Sequence, residues 1–114
     1  MNDCLFCKIV AGEIPAKIVY EDEQVIAFED INPQAPEHLL IIPRRHIACL
    51  ADAKPEDAAL LGHIQYVIAE LSRSRKFAEP GFRVVNNCNA DGGQEVGHIH
   101  YHLLAGRKME WPPG

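Results

Sequence analysis

The chain has 114 residues and a mass of 12.7 kDa, the size of one domain, and we expect residues 1–114 to fold as a single unit. Its 16 acidic and 11 basic residues give a net charge of −5, which argues against a surface that binds nucleic acid through phosphate contacts. No apolar run approaches the roughly 20 residues of a membrane-spanning helix, and the first residues lack the basic and apolar regions of a secretory signal. We therefore expect a cytoplasmic protein that binds neither nucleic acid nor membrane.

The first predicted elements are a short helix, a hairpin and a buried strand. Leu5–Val10 is a short apolar segment that suits one or two helical turns. Ile18–Glu21 and Val25–Glu29 are separated by a polar pair and are typical of a β-hairpin. Two prolines within residues 30–36 exclude regular structure there, and the continuous apolar run at 39–42 predicts a buried strand.

A long helix and two further strands follow. Between Pro55 and about Lys76, apolar residues recur at spacings of three and four, which predicts one amphipathic helix. Residues 82–87 and 96–104 are each typical of a strand. The order of hairpin, strand, long helix and two strands predicts an α+β fold with a mostly antiparallel sheet.

Three histidines in alternate positions are the strongest chemical signal. On a strand, His98, His100 and His102 would share one face, about 7 Å apart. A purely structural role is disfavoured, because apolar residues fill such a face at lower cost. Two functions remain open here: the imidazoles bind zinc, or they act as nucleophile and proton carrier toward phosphorus. Gly92 and Gly93, directly before them, let backbone N–H groups approach an anion and so favour a phosphate.

The run from His98 to His102, followed by two leucines, resembles the signature of the histidine triad (HIT) superfamily of nucleotide hydrolases and transferases. Matching segments in the same order carry the resemblance over nearly the whole chain, at 5–10, 13–17, 30–38, 42–46 and 92–94. The ending at 106–114 resembles the HINT branch, the purine nucleoside phosphoramidases. This resemblance implies a HIT fold with a short N-terminal helix, one long helix, and a sheet that continues across a homodimer.

The resemblance also implies a covalent mechanism. In this family the middle histidine, here His100, attacks the α-phosphorus of a nucleoside phosphoramidate and expels the amine, and water then releases the nucleoside monophosphate. Neutral His100 needs a fixed acceptor for its other ring nitrogen, commonly a backbone carbonyl. His102 would hold the phosphate and stabilise developing charge. His98 and His38, the additional histidine beside the triad, complete the implied catalytic set.

A purine nucleotide is the implied ligand. The carboxylate of Asp30 would accept hydrogen bonds from both ribose hydroxyls, and Trp111 near the C-terminus would approach the partner's site. The remaining implied contacts are Phe28 and Ile31 with the base, Asn87 with the ribose–phosphate region, and Gly93, Gln94 and Glu95 with the phosphate.

Two positions depart from the family pattern. Glu95 stands where many relatives have a serine or threonine that contacts the phosphate and the leaving group. Because a carboxylate repels a phosphate unless it is protonated or turned away, we expect only the Glu95 backbone to bind, and the leaving-group preference stays open. Gly97 replaces the bulky residue common before the triad, and we expect it to loosen the strand.

Zinc is a second chemical expectation. Cys4 and Cys7 have the spacing of zinc ligands but supply only two of the four that a structural site needs. The resemblance implies that His46 and His98 complete the set. Such a zinc would be structural, because four protein ligands leave no position for water, and we expect no cofactor to be required for catalysis. The other two cysteines, Cys49 and Cys88, are expected to be small, partly buried groups.

Three alternatives to a phosphoramidase remain at this stage. The first is a dinucleoside polyphosphate hydrolase of another HIT branch. The second is a nucleotide- or protein-binding module without catalysis, and the third is a zinc hydrolase in which His98, His100 and His102 are the metal ligands.

Overall fold

A five-stranded antiparallel sheet forms the centre of the computed structural model, which describes residues 3–114. Its strands are β1 (Ile18–Glu21), β2 (Val25–Glu29), β3 (Glu37–Pro43), β4 (Phe82–Val85) and β5 (Tyr101–Ala105), in the spatial order β1-β2-β3-β5-β4. The helices are α1 (Leu5–Val10), α2 (Ala58–Ser74) and the four-residue α3 (Asn89–Gly92), with single 3₁₀ turns at Leu50–Asp52 and Pro55–Asp57. These elements confirm the predicted α+β class, with one long helix and a short N-terminal one.

The two faces of the sheet pack against different helices, because side chains alternate along each strand. One face, which includes Leu39 and Leu103, packs on α2 and forms the larger apolar cluster. The opposite face, which includes Phe28 and Leu40, contacts Phe6 of α1 in a second cluster. The α2 face is therefore the main core, and the α1 face leaves room for a site beside the short helix.

The strand predicted over residues 96–104 is wrong in its first half. Only His102 lies within β5, whereas His98 and His100 precede it. Backbone groups of this segment bond outside the sheet, since the Ile99 N–H donates to the carbonyl of Ile47 in the loop after β3, at 2.7 Å. The three histidines therefore do not share one face of a strand.

Other boundaries differ by a few residues. The strand predicted over 82–87 ends at Val85, and the helix predicted over 55–76 is regular only from Ala58 to Ser74. Helix α3 was not expected, and its chain reverses at Gly93, whose φ of 77° is the left-handed conformation that glycine adopts without strain. Within residues 3–114, no helix is long and apolar enough to cross a membrane.

Candidate active site

The triad histidines divide into two groups in the structure. The rings of His100 and His102 are neighbours, with centroids 5.1 Å apart, and both line a cavity on the α1 side of the sheet. The fully buried ring of His98 is not part of that lining, and it packs against His46 with a centroid distance of 5.0 Å. The expectation that three imidazoles line one groove is therefore wrong for His98, because its ring packs against His46 and faces Cys4 and Cys7.

The backbone fixes the protonation of the His100 ring. Its Nδ1 lies 2.8 Å from the carbonyl oxygen of His98. A carbonyl only accepts hydrogen bonds, so Nδ1 carries the proton, and in the neutral ring the lone pair is on Nε2. His100 is 4% exposed, and its Nε2 has no hydrogen-bond partner among residues 3–114. The ring thus presents a nucleophilic nitrogen that is held in one tautomer.

A chain of hydrogen bonds fixes His102 in the opposite tautomer. The Gln34 backbone N–H donates to Nδ1 of His38 at 3.0 Å, so neutral His38 carries its proton on Nε2. His38 Nε2 lies 2.8 Å from Nδ1 of His102 and donates to it, which leaves the His102 proton on Nε2. The Asp30 carboxylate lies 3.4 Å from His38 Nε2 and favours this arrangement. Two neighbouring rings, His100 and His102, therefore offer one lone pair and one N–H donor.

Burial favours the uncharged form of the His102 and His38 imidazoles. Burial, reinforced by the neighbouring rings of His100 and His38 and opposed by Asp30, lowers the pKa of His102 to about 4. Burial also lowers the pKa of His38, against the opposing attraction of Asp30. At neutral pH the His102 ring is therefore a neutral donor and not a cation.

The protonation of His102 can be measured directly. In long-range ¹⁵N–¹H NMR spectra at pH 5.5, we expect His102 as a neutral ring with its proton on Nε2, because its pKa of about 4 lies below that pH. Charging should begin only as the pH falls toward 4. A titration midpoint near the ordinary histidine value of about 6.5 would contradict this assignment.

The cavity beside these rings has a volume of about 370 Å³, within the range of small-molecule sites. Four predicted ligand contacts line it, namely Phe28, Asp30, Ile31 and Glu95. Apolar residues of the N-terminal segment form much of the remaining wall: Leu5, Phe6, Ile9, Ile14, Pro15 and Ala16. The site therefore combines an apolar wall with acidic groups at its edges.

Four other predicted contacts do not line this cavity: Asn87, Gly93, Gln94 and Trp111. The side chain of Gln94 is used to hold the loop, because its Nε2 donates to the carbonyls of Ala48 at 2.8 Å and Val96 at 2.9 Å. The indole of Trp111 is 81% exposed and lies under the guanidinium of Arg83 at 5.9 Å.

Two residues at the site were missed by sequence reasoning. Asn86 directly follows the last residue of β4, and its Nδ2 donates to the His100 carbonyl at 2.9 Å. This bond positions the backbone of the candidate nucleophile. Phe6 places its ring edge-on to His100, with a centroid distance of 5.1 Å. The apolar pattern of α1 could have indicated Phe6, whereas no signal distinguishes Asn86 from the adjacent Asn87.

The predicted zinc ligands meet at a second cluster. Single ligand atoms of Cys4, Cys7, His46 and His98 all lie within 4.8 Å of one another. His98 Nδ1 is 3.4 Å from Cys4 Sγ, 3.5 Å from Cys7 Sγ and 3.2 Å from His46 Nδ1. The edges of a tetrahedron around zinc with such ligands are roughly 3.3–3.8 Å long, shortest between two nitrogens and longest between two sulfurs.

The tautomer of His98 also fits a metal. Its Nε2 lies 2.8 Å from the Pro43 carbonyl and donates to it, so Nδ1 carries a lone pair toward the cysteines. Burial lowers the pKa of His98 to about 4, which keeps that lone pair free of a proton. The donor set therefore fits a structural zinc that fastens the start of α1 to the segment before β5.

Asp30, His38 and His102 form a second group of possible metal ligands, with ligand atoms within the same 4.8 Å limit. Its protonation does not fit a metal, because the Gln34 N–H occupies His38 Nδ1 and so places a proton on Nε2, the atom that would bind. A zinc held by the three triad histidines is not favoured either, since His98 faces the cysteine cluster.

The fold and the paired, tautomer-fixed rings define a small α+β protein with a histidine centre beside a ligand-sized cavity. The HIT domain family matches residues 11–109, and the chain belongs to this family. It is 50% identical over 112 residues to a 14 kDa zinc-binding protein of Zea mays, covering 96% of this chain and 87% of that protein.

Solved structures support the same assignment. The crystal structure of a HIT family hydrolase from Legionella pneumophila superposes with a TM-score of 0.97 and 54% identity, covering 98% of this chain and 100% of that one. A histidine triad nucleotide-binding protein from Candida albicans superposes with a TM-score of 0.82 and 36% identity, covering 96% and 83% of the two chains. The predicted HIT fold is thereby confirmed.

Proposed function

We propose that the protein is a nucleotide-binding hydrolase that cleaves the P–N bond of purine nucleoside 5′-phosphoramidates through a nucleotidyl-histidine intermediate. The observation that carries this proposal is the pair of complementary tautomers at the cavity. His100 offers a lone pair on Nε2, and His102 offers a proton on Nε2. Nucleophilic attack and protonation of an amine leaving group require these two groups.

The first step forms one bond and breaks one. His100 Nε2 attacks the α-phosphorus while the P–N bond to the amine breaks and its electron pair goes to the departing nitrogen. The proton on His102 Nε2 moves to that nitrogen. The N–H of His38, which donates to His102 Nδ1, stabilises the negative charge that develops on the His102 ring. The positive charge of the nucleotidyl-His100 ring offsets it from the neighbouring position.

The second step restores the enzyme. A water molecule attacks the phosphorus and gives its proton to His102 Nε2, and the bond between phosphorus and His100 Nε2 breaks. The product is the nucleoside monophosphate. Throughout both steps the His98 carbonyl accepts from His100 Nδ1 and keeps the ring in the attacking orientation.

Substrate contacts follow from the lining of the cavity. Phe28 and the apolar wall support placement of a base, and Asp30 has the carboxylate that two ribose hydroxyls need. Asp30 Oδ1 already accepts from the Asn32 N–H at 2.8 Å, which orients the carboxylate for ribose. The 101% exposure of Ile31 makes it a cover for the base and not a buried wall.

A homodimer is part of the proposal. β4 is an edge strand, and its Phe82 and Val84 are 37% and 36% exposed, although exposed apolar edges are usually covered. Pairing of this edge with a second copy would also bring the exposed Trp111 toward the partner. We further propose that the protein acts in the cytoplasm, in keeping with the reduced thiols of Cys49 and Cys88.

The test is product release from adenosine 5′-phosphoramidate by the wild type and by His100→Ala. Turnover by the wild type, its loss in a variant of unchanged Tm, and a mass gain of one nucleotidyl group on acid-quenched wild type would support the proposal. Nucleotide binding without turnover by the wild type would overturn it in favour of a binding module. Faster cleavage of a dinucleoside polyphosphate would overturn it in favour of the other HIT branch.

A further inference from the structure

Two neighbouring cavities share a wall at the proposed active site. The first contains His100 and His102, and the second, of about 590 Å³, lies over Cys4 and Gly97. The residues common to both linings are Leu5, Glu95 and Val96. A group that leaves the reacting phosphorus in the first cavity therefore has space to extend past Glu95 into the second.

The charged side chains that line both cavities are acidic. As far as residues 3–114 are described, neither lining contains a lysine or an arginine. The first lining has the carboxylates of Glu29, Asp30 and Glu95, and the second has those of Asp3 and Glu95. Glu29 is paired with Lys17 at 3.6 Å, and Asp30 faces His38 at 3.4 Å. Within the described part of the chain, Glu95 and Asp3 have no ion-pair partner.

This charge distribution constrains the substrate. The oxygens on the phosphorus that His100 attacks carry a negative charge, and neither lining supplies a lysine or an arginine to balance it. A leaving group with further phosphates or a carboxylate would add repulsion at Glu95, whereas a leaving group with an ammonium would offset both the phosphate and Glu95. His100 Nε2, which has no hydrogen-bond partner within the described residues and belongs to a ring that lines the first cavity, marks where the reacting phosphorus must be.

We propose that Glu95, with Asp3 beyond it, makes the enzyme prefer nucleoside phosphoramidates whose leaving amine carries a second, positively charged group. This inference rests on the proposed function and names the substrate class within it. Glu95 then has a use for its side chain that a serine or threonine would not provide. The preference also works against dinucleoside polyphosphates, whose leaving groups are anionic.

The experiment compares three adenosine 5′-phosphoramidates of matched length, made from 1,4-diaminobutane, butylamine and 4-aminobutyrate. They differ mainly in the charge at the far end of the leaving group. For the wild type we expect kcat/KM to be about fivefold higher for the cationic than for the neutral substrate, and about fivefold lower for the anionic one, the size of a partly exposed charge pair. Glu95→Gln should bring the three values within about twofold of one another. Higher salt should shrink the wild-type differences.

Glu79→Gln is the matched control, because it removes the same charge from an exposed position outside both linings. It should keep the wild-type preference. Equal turnover of the three substrates by the wild type, or an unchanged preference in Glu95→Gln, would overturn this inference and leave the phosphoramidase proposal intact. Absence of turnover with all three would overturn the proposed function, and this inference with it.

Discussion

Replacing His102 by alanine is expected to lower kcat for an amine-leaving substrate by about 10²- to 10⁴-fold, the usual contribution of a general acid. The departing nitrogen needs a proton, and the hydrogen bond from His38 leaves the His102 proton on the Nε2 side. A nitrophenyl ester of AMP provides the decisive comparison, because nitrophenolate leaves without being protonated. On that substrate we expect His102→Ala to lose no more than about tenfold. The measurement is kcat on both substrates.

His63→Ala is the control for this prediction. His63 is on α2 and contacts Asp22 at 2.7 Å, outside the cavity lining, so both substrates should be turned over at the wild-type rate. His38→Leu should produce a smaller, leaving-group-dependent loss, because His38 acts through His102. Equal losses on both substrates in His102→Ala would show that His102 only holds the phosphate.

Removing zinc is the change with the largest expected effect on stability. At a free zinc concentration about a thousand times its Kd, bound zinc adds about 4 kcal/mol to the free energy of unfolding. For a domain of this size that corresponds to roughly 15 °C in Tm. Cys7→Ser removes one of four ligands and should lower both zinc content and Tm, measured by metal analysis and calorimetry on the same sample.

Cys88→Ser is the matched control, because Cys88 lies outside the zinc cluster. It should keep one zinc per chain and most of the Tm. If metal-free protein that remains folded still turns over substrate, the covalent mechanism is supported, since His100 Nδ1 still bonds to the His98 carbonyl. Loss of turnover in folded, metal-free protein, with recovery on adding zinc, would instead favour a catalytic metal.

The patterns that predicted the fold correctly are local ones. Alternating or continuous apolar runs gave the hairpin and β3, and the three- and four-residue spacing gave α2, because these periods report which face is buried. The late start of β5 could not be predicted in this way. It depends on the bond between Ile99 and Ile47, which are far apart in the sequence, and a strand pattern does not show which backbone partner is available.

The site shows the same division. The spacing of Cys4 and Cys7 and the triad could be read directly, but the direction of each ring depends on contacts made at long range. His98 turns to the cysteines because its other nitrogen bonds to Pro43, 55 residues earlier. The hydrogen bond from Asn86 to the His100 carbonyl depends on where β4 ends and on its register with β5, and neither can be read from the sequence.

The groups that set the ring tautomers have a consequence for how this protein tolerates mutation. The acceptors of His100 and His98 are the main-chain carbonyls of His98 and Pro43, and the donor to His38 is the main-chain N–H of Gln34. Every residue type supplies a carbonyl, and every type except proline supplies an N–H. In a saturation-mutagenesis library, the exposed position 34 should therefore accept every residue type except proline, and the fully buried position 43 should accept residues of similar size that leave the backbone path unchanged. The ring tautomers are then retained as long as the histidines and the backbone path are unchanged.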